Sequence, residues 1–314
     1  MKVLIFGEFS PGSVAGSCFS ALTSLGADVR VVDSSSYRQS FLNRLINKFR
    51  NIPMYFGVGR LNKELISATV DFDPDFILFI KPILVSPSTI KILKRYSILF
   101  SWYPDYLPYP KTSSIDFIRA IPLYDCHFSF GSENAKEFPR FGSKKTFFLP
   151  FAADQSCHYP IILTPEEQER FGCDLVFVGT YDNDSRLKFL EKLCADGYYL
   201  KIYGNGWESV DKNSLLYKKG AIQFYAPSCL EMSRVMNASK IALGFLREHN
   251  KDRQTMRTYE IPACGVFMLH QRTPEVVELF VEGVEADFFD SYEELVSKIN
   301  IYLADDEKRK SIAK

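Results

Sequence analysis

With 314 residues, of which 46% are hydrophobic and 24% charged, the chain has room for two α/β domains and the composition of a globular protein, not of a disordered one. Lys and Arg together number 38, as do Asp and Glu, so the net charge is zero and the basic excess of a nucleic-acid-binding protein is absent. The seven cysteines form no C-x-x-C motif, which excludes zinc-ribbon and thioredoxin sites and predicts reduced, mostly buried thiols in a cytoplasmic protein.

The first half of the chain alternates short apolar runs with helical patterns. Apolar strands that alternate with helices form parallel sheets covered on both faces, so this half predicts one such sheet. None of its apolar runs is long enough to cross a membrane. Strands are predicted at 3–6, 28–32, 76–80, 97–102, 126–130 and 146–149.

The alternation lapses at 150–172, where two prolines and a charged run predict a linker, and then resumes. The sequence therefore predicts two Rossmann-like, doubly wound domains that face a cleft, at 1–152 and 173–314, joined by a linker at 153–172. Ligands of such sheets bind beyond the carboxyl ends of the strands. The second domain has predicted strands at 174–178, 199–203, 240–245, 266–269 and 286–289, and helices at 185–194, 228–236, 259–264, 274–282 and 291–303.

The most informative segment, 250–265, follows the predicted strand at 240–245. A polar loop leads into a short helix that Gly265 can end. Pro262 is tolerated in the first turn of a helix, which predicts that this helix begins near Thr258 or Tyr259. Its free N–H groups would then stabilise an anion such as a diphosphate.

Charged side chains in this segment extend the prediction. Arg253 and Arg257 can donate hydrogen bonds to phosphate oxygens. Glu260 only accepts hydrogen bonds when ionised, and a ribose diol is a suitable donor to it. An ordinary helix with surface charges is the alternative interpretation.

Residues 257–265 (Arg-Thr-Tyr-Glu-Ile-Pro-Ala-Cys-Gly), with 273–275 and 289–295 behind them, resemble the C-terminal domain of the group-1 glycosyltransferases. The nearest branch is the one that includes spore maturation protein CgeB. The resemblance covers about residues 174–314 and implies the GT-B fold and a nucleotide-sugar donor, bound without a metal or cofactor and contacted by the segment that includes Thr258 and Tyr259. In that superfamily two acids with seven residues between them contact the donor. Glu260 takes the second place, on the ribose, and Asp252 takes the first, where Glu is usual.

Two further positions of the second half match the same family. The resemblance implies that Arg186 reaches the donor diphosphate and that the loop at Gly204 lies near the nucleotide; a surface arginine and a plain turn are the alternatives. The triplet Asp182, Asn183 and Asp184 could hold a metal, as in the other large glycosyltransferase fold, but we favour capping of the next helix by Asp184 or Ser185.

The first half offers weaker candidates. Gly12 lies in a Gly-containing turn that could contact donor phosphate or acceptor, or be only a tight turn. Asp105 follows the predicted strand at 97–102 and could bind an acceptor hydroxyl, as a base or as an orienting group, or cap a turn. His127 is predicted to be a core residue. A basic amphipathic helix at 38–50 could lie on an anionic membrane or pack on the sheet.

Together these observations predict a cytoplasmic glycosyltransferase, in possible peripheral contact with a membrane. It would move a sugar from a nucleoside diphosphate sugar to a hydroxyl of a glycan, a lipid-linked acceptor or a protein, with no nucleic-acid partner. The resemblance favours retention of configuration. A nucleotide-sugar epimerase of the same fold and a non-catalytic binding protein are the two alternatives.

Overall fold

The computed structural model describes residues 1–10, 12–38, 57–109 and 112–314. They form two compact units: Met1–Pro150 with His249–Lys251, and Phe151–Glu248 with Asp252–Lys314. The basic helix predicted at 38–50 lies, apart from residue 38, outside the described residues. No helix in the described part of the chain has the length and hydrophobicity needed to span a bilayer.

The first unit contains a parallel six-stranded sheet in the order β2-β1-β3-β4-β5-β6. Alternate residues of β1 enter hydrophobic clusters on opposite faces: Leu4 and Phe6 on one, Val3 and Ile5 on the other. Burial on both faces explains why these strands are almost continuously apolar. The strands are β1 (Lys2–Gly7), β2 (Asp28–Asp33), β3 (Phe76–Ile80), β4 (Ile98–Tyr103), β5 (Cys126–Ser129) and β6 (Thr146–Phe148).

The helices described in the first unit connect these strands. Two short 3₁₀ turns, Ile121–Leu123 and Phe138–Phe141, accompany them. The helices are α1 (Val14–Ser24), α2 (Ser35–Arg38), α3 (Val58–Phe72), α4 (Pro87–Leu93), α5 (Ile115–Ala120) and α6 (Ser132–Ala135).

The second unit contains a parallel five-stranded sheet in the order β11-β10-β9-β7-β8. The strand at Cys173–Val178 repeats the two-faced burial, with Leu175 and Phe177 on one side and Val176 and Val178 on the other. A 3₁₀ turn follows β8 at Trp207–Ser209. The strands are β7 (Cys173–Val178), β8 (Leu200–Tyr203), β9 (Ser239–Gly244), β10 (Met268–Gln271) and β11 (Asp287–Phe289); the helices are α7 (Pro165–Phe171), α8 (Ser185–Ala195), α9 (Leu215–Lys218), α10 (Cys229–Asn237), α11 (Arg257–Ala263), α12 (Pro274–Leu279), α13 (Tyr292–Ala304) and α14 (Asp306–Ile312).

Two parallel sheets with connecting helices confirm the predicted fold class, and all the predicted strands are present within two residues of their predicted ends. The segment at 153–172, which was predicted to be a linker, is instead part of a folded unit. These residues fold with the second unit and include α7. A capping box begins that helix: Thr164 Oγ1 accepts from the Glu167 N–H at 3.2 Å, and Glu167 Oε2 accepts from the Thr164 N–H at 3.0 Å.

The prediction that all cysteines are reduced is also wrong. Cys157 and Cys229 form a disulfide, with their Cα atoms 4.8 Å apart. It joins the segment that follows β6 to the first residue of α10. The pairing was not visible in the sequence because the two residues are separated by 72 positions and share no motif.

Candidate functional site

The carboxyl edge of the second sheet brings the ends of β7, β8 and β9 side by side. Gly204, directly after β8, has φ +142°, and a Cβ there would lie 2.0 Å from the carbonyl oxygen of Gly179. Only glycine fits such a contact. That carbonyl also accepts a hydrogen bond from Trp207 Nε1 at 2.8 Å. The backbone of Gly204 therefore packs closely against the loop after β7, and its predicted position near a donor nucleotide stays a prediction.

Helix α11 leads away from this edge. It begins at Arg257, before the predicted start, so Pro262 lies near its C-terminal end and not in its first turn. The helix tolerates this proline because only one hydrogen bond is lost before the helix ends at Ala263. Gly265, at φ +67°, follows the end of the helix, as predicted. With this start, Arg257 and Glu260 are one turn apart on the same face.

The carboxylate of Glu260 is buried, with 2% of the residue exposed. Its Oε2 forms an ion pair with Nη1 of Arg257, and its Oε1 lies 3.5 Å from Nε2 of His158. Arg257 is fixed in turn by its Nε, which donates to the carbonyl oxygen of Val178 at the end of β7, at 3.0 Å. Burial lowers the pKa of Arg257 to about 10, so its guanidinium remains charged at neutral pH. The site therefore contains a buried carboxylate balanced by a half-buried guanidinium at the carboxyl edge of the sheet.

His158 was missed by the sequence analysis because it lies in the predicted linker. Its ring is buried, and its Nδ1 lies 3.2 Å from both the backbone nitrogen and the carbonyl oxygen of Asp154. Its Nε2 lies 3.5 Å from a carboxylate oxygen of Glu260, which can accept a hydrogen bond but cannot donate one. We therefore assign the tautomer in which Nε2 carries the proton and Nδ1 accepts from the Asp154 N–H. Burial, reinforced by the charge of Arg257, lowers the pKa of His158, so the ring is neutral at pH 7.

Thr258 connects α11 to β10. Its side chain is fully buried, its Oγ1 lies 3.1 Å from His270 Nε2, and it accepts from the Thr255 N–H at 3.0 Å. Burial lowers the pKa of His270 to about 4, so the ring is neutral and its Nδ1 donates to the Gln271 carbonyl at 2.7 Å. The predicted contact of Thr258 with a donor stays a prediction.

Tyr259 is partly exposed, and its hydroxyl donates to Gln254 Oε1. Burial of the phenol raises its pKa to about 12, so the hydroxyl stays protonated and available as a donor at neutral pH. Its predicted contact with a nucleotide donor stays a prediction.

Arg186, predicted to bind a diphosphate, is buried and held by carboxylates. Its Nε donates to both oxygens of Asp184 at 2.9 and 2.8 Å, and its Nη2 lies 3.4 Å from Asp182. Asp184 also accepts from the Arg186 N–H, which confirms the predicted cap of α8. Arg247, which the sequence analysis did not select, lies 3.9 Å from Asp182. It lies three residues after the end of β9, and that position in the loop beyond a strand was the signal that could have identified it.

The loop before α11 contains the remaining candidates. Arg253 is exposed, and its carbonyl accepts from Thr273 Oγ1 at 2.6 Å. Asp252 is half-buried, and its N–H donates to the Arg247 carbonyl at 3.4 Å. The donor-binding roles of Arg253 and Asp252 stay predictions.

In the first unit, Asp105 follows β4 and is largely buried, with an ion pair to Lys81. Lys81 follows β3 and adopts φ +51°, which is uncommon for a residue with a side chain. Gly12 is exposed at φ +77° before α1, as a tight turn requires. His127 is buried, as predicted for a core residue; burial lowers its pKa to about 4, and its Nε2 lies 2.9 Å from the Ile121 carbonyl.

Comparison with known proteins shows a similarity to one family over part of the chain and a similarity of fold over all of it. Residues 186–314 match the family described as glycosyl transferase-like, which supports the predicted superfamily and leaves the CgeB-like branch a prediction. No curated protein matches the sequence. Anabaena HepE in complex with UDP-glucose has a TM-score of 0.64 at 14% identity, covering 100% of this chain and 92% of that one.

Two other solved structures are similar over the whole chain. Sucrose-phosphate synthase from Thermosynechococcus elongatus has a TM-score of 0.64 at 10% identity, covering 100% of this chain and 92% of that one. A Listeria monocytogenes protein assigned as a UDP-N-acetylglucosamine 2-epimerase has a TM-score of 0.59 at 13% identity, covering 100% and 90%. At these identities the likeness shows the fold, and the chain has the predicted GT-B fold.

Proposed function

We propose that this protein is a glycosyltransferase whose donor is a nucleoside diphosphate sugar, bound at the carboxyl edge of the second sheet by Glu260 and Arg257. The observation that carries this proposal is the buried carboxylate paired with an arginine one helical turn away. The pair lies inside the segment that matches the glycosyl transferase-like family. HepE, which has a similar fold, was solved with UDP and with UDP-glucose, and this supports a donor of that class.

Donor binding would exchange the partners of this pair. Glu260 can accept hydrogen bonds from the two hydroxyls of a ribose, and Arg257 can donate to the diphosphate. A carboxylate surrounded by protein instead of water makes a stronger electrostatic hydrogen bond, so its burial favours recognition of the diol. As the glycosidic bond breaks, the guanidinium would stabilise the negative charge that develops on the departing nucleotide.

The finer parts of the proposal concern the sugar and the acceptor. Asp252 would contact the donor sugar, and Asp105, fixed by its ion pair with Lys81, would orient the acceptor hydroxyl. The same proposal includes transfer with retention of configuration. It also includes an acceptor that is a glycan, a lipid-linked molecule or a protein. No metal is needed if arginines balance the diphosphate.

A nucleotide-sugar epimerase is the second candidate, and the similarity to the Listeria monocytogenes structure is the observation that favours it. Incubation with UDP-N-acetylglucosamine separates the two activities. An epimerase returns an isomeric UDP-sugar without releasing nucleotide, whereas a transferase releases UDP when an acceptor, or water, takes the sugar.

Calorimetric titration with UDP tests the proposed site. We expect Glu260→Gln and Arg257→Ala each to weaken UDP binding by about tenfold or more, since each removes a charge-assisted hydrogen bond worth about 1.5–3 kcal/mol. Glu278→Gln is the matched control because Glu278 is an exposed residue of the neighbouring helix α12. UDP affinities that are the same in all three variants would refute the assignment.

A further inference from the structure

We propose that His158 is a positioning residue for donor binding, which fixes one oxygen of the Glu260 carboxylate so that the other is presented to the ribose diol. This inference rests on the proposed function, and it assigns a role to a residue outside the family match at 186–314. His158 Nε2 lies 3.5 Å from Glu260 Oε1, whereas the ion pair with Arg257 is formed by Oε2.

Three separate contacts fasten the backbone around His158 to α10. The disulfide attaches Cys157 to Cys229, at the start of that helix. Ser233 Oγ donates to the Cys157 carbonyl at 2.5 Å and accepts from the Tyr159 N–H at 3.3 Å. Because contacts lie immediately before and after position 158, the backbone that carries the imidazole is held in place, as a positioning residue requires.

The turn that precedes the ring orients it, because Nδ1 lies 3.2 Å from both the backbone nitrogen and the carbonyl oxygen of Asp154. The carboxylate of Glu260 decides the tautomer. A proton on Nδ1 would place the Nε2 lone pair against a negative oxygen, whereas a proton on Nε2 faces that oxygen as a donor. A neutral ring also leaves the charge balance of the Glu260 and Arg257 pair unchanged.

The need for a second partner follows from the exchange that the donor would cause. When Arg257 turns to the diphosphate, Glu260 loses the cation that compensates its burial. A buried carboxylate left without partners is costly. His158 does not take part in this exchange and stays beside Oε1, so it stabilises the ionised, correctly rotated carboxylate in the donor complex.

Two substitutions separate this role from simple packing. His158→Phe keeps an aromatic ring of similar size and removes the N–H, whereas His158→Gln keeps an N–H donor of similar reach. Melting temperatures of both variants report any loss of fold. The decisive readout is the affinity for a nucleotide with its ribose diol compared with the affinity for the 2′,3′-dideoxy form of the same nucleotide.

Calorimetry uses whichever of UDP, ADP and GDP the unmodified protein binds most tightly, together with its dideoxy form. We expect His158→Phe to weaken the ribonucleotide by about tenfold and the dideoxynucleotide by less than about twofold, and His158→Gln to recover most of the loss. Equal losses for both nucleotides, or no loss for either, would overturn the inference.

Glu260→Gln, measured in parallel, distinguishes this inference from the proposed function. If Glu260→Gln weakens the ribonucleotide and the dideoxynucleotide equally, or if none of the three nucleotides binds, the donor site itself is wrong and the role of His158 fails with it. If Glu260→Gln weakens mainly the ribonucleotide and His158→Phe does not, the donor site stands and only the inference about His158 is refuted.

Discussion

Each of the two sheets has a buried carboxylate paired with a cation near its carboxyl edge, but the two pairs are built differently. In the second unit Arg257 and Glu260 are one turn apart on a single helix, with His158 as a further neighbour. In the first unit Asp105 and Lys81 come from loops that follow two adjacent strands. A pair built on one helix has a spacing that can be seen in the sequence, whereas a pair built from two loops depends on the fold.

The disulfide belongs only to the second unit, so its removal should distinguish the two units most strongly. Cys229→Ser opens a crosslink across 72 positions, which is expected to cost about 4 kcal/mol of unfolding free energy. Hydrogen exchange, read separately for each unit, should show loss of protection in the second and little change in the first. Cys18→Ser, which replaces a free cysteine of the first unit, is the control. Equal loss in both units would contradict the local role of the crosslink.

Acid pH should lower the free energy of unfolding of both units, because each contains one fully buried histidine: His127 in the first and His270 in the second. Burial lowers each pKa from 6.5 to about 4, so the unfolded chain binds more protons in that range. Stability is then complete above about pH 6.5 and falls as the pH drops toward about 4, by about 2 kcal/mol per histidine at about pH 5.

Urea unfolding at neutral and acid pH checks this prediction. His127→Gln should remove the contribution of His127 to the pH dependence of the free energy of unfolding. The glutamine can still donate to the Ile121 carbonyl that His127 Nε2 contacts. A free energy of unfolding that stays constant from about pH 7 to about pH 5 would show that neither histidine is held neutral by the fold.

A smaller effect is expected from breaking the pair in the first unit. Lys81→Met would leave the Asp105 carboxylate buried without its cation, at a cost of about 2 kcal/mol. Lys94→Met is the matched control, since Lys94 and Asp125 form an ion pair at 2.8 Å whose side chains are 42% and 36% exposed. That pair should contribute less than about 1 kcal/mol. If both variants lose the same stability in urea, burial does not distinguish the two pairs.

The sequence allowed prediction of the features that depend on near neighbours. Continuous apolar runs located the strands, and the motif at 257–265 located α11, although the helix begins at Arg257 and not at the predicted Thr258 or Tyr259. The Thr164 and Glu167 capping signal was also present, but we interpreted the prolines and charges around it as a linker. His158 could not be predicted, because its partner is about a hundred positions away and only the fold brings them together.

If Glu260 binds the donor's ribose, its substitution must slow donor turnover. The measurement is kcat/KM for UDP release from UDP-glucose by the unmodified protein, Glu260→Gln and Glu278→Gln. We expect a loss of about tenfold to a hundredfold for Glu260→Gln, since one charged hydrogen bond is worth about 1.5–3 kcal/mol, and an unchanged rate for Glu278→Gln. Turnover by Glu260→Gln as fast as that of the unmodified protein would show that this carboxylate does not bind the donor.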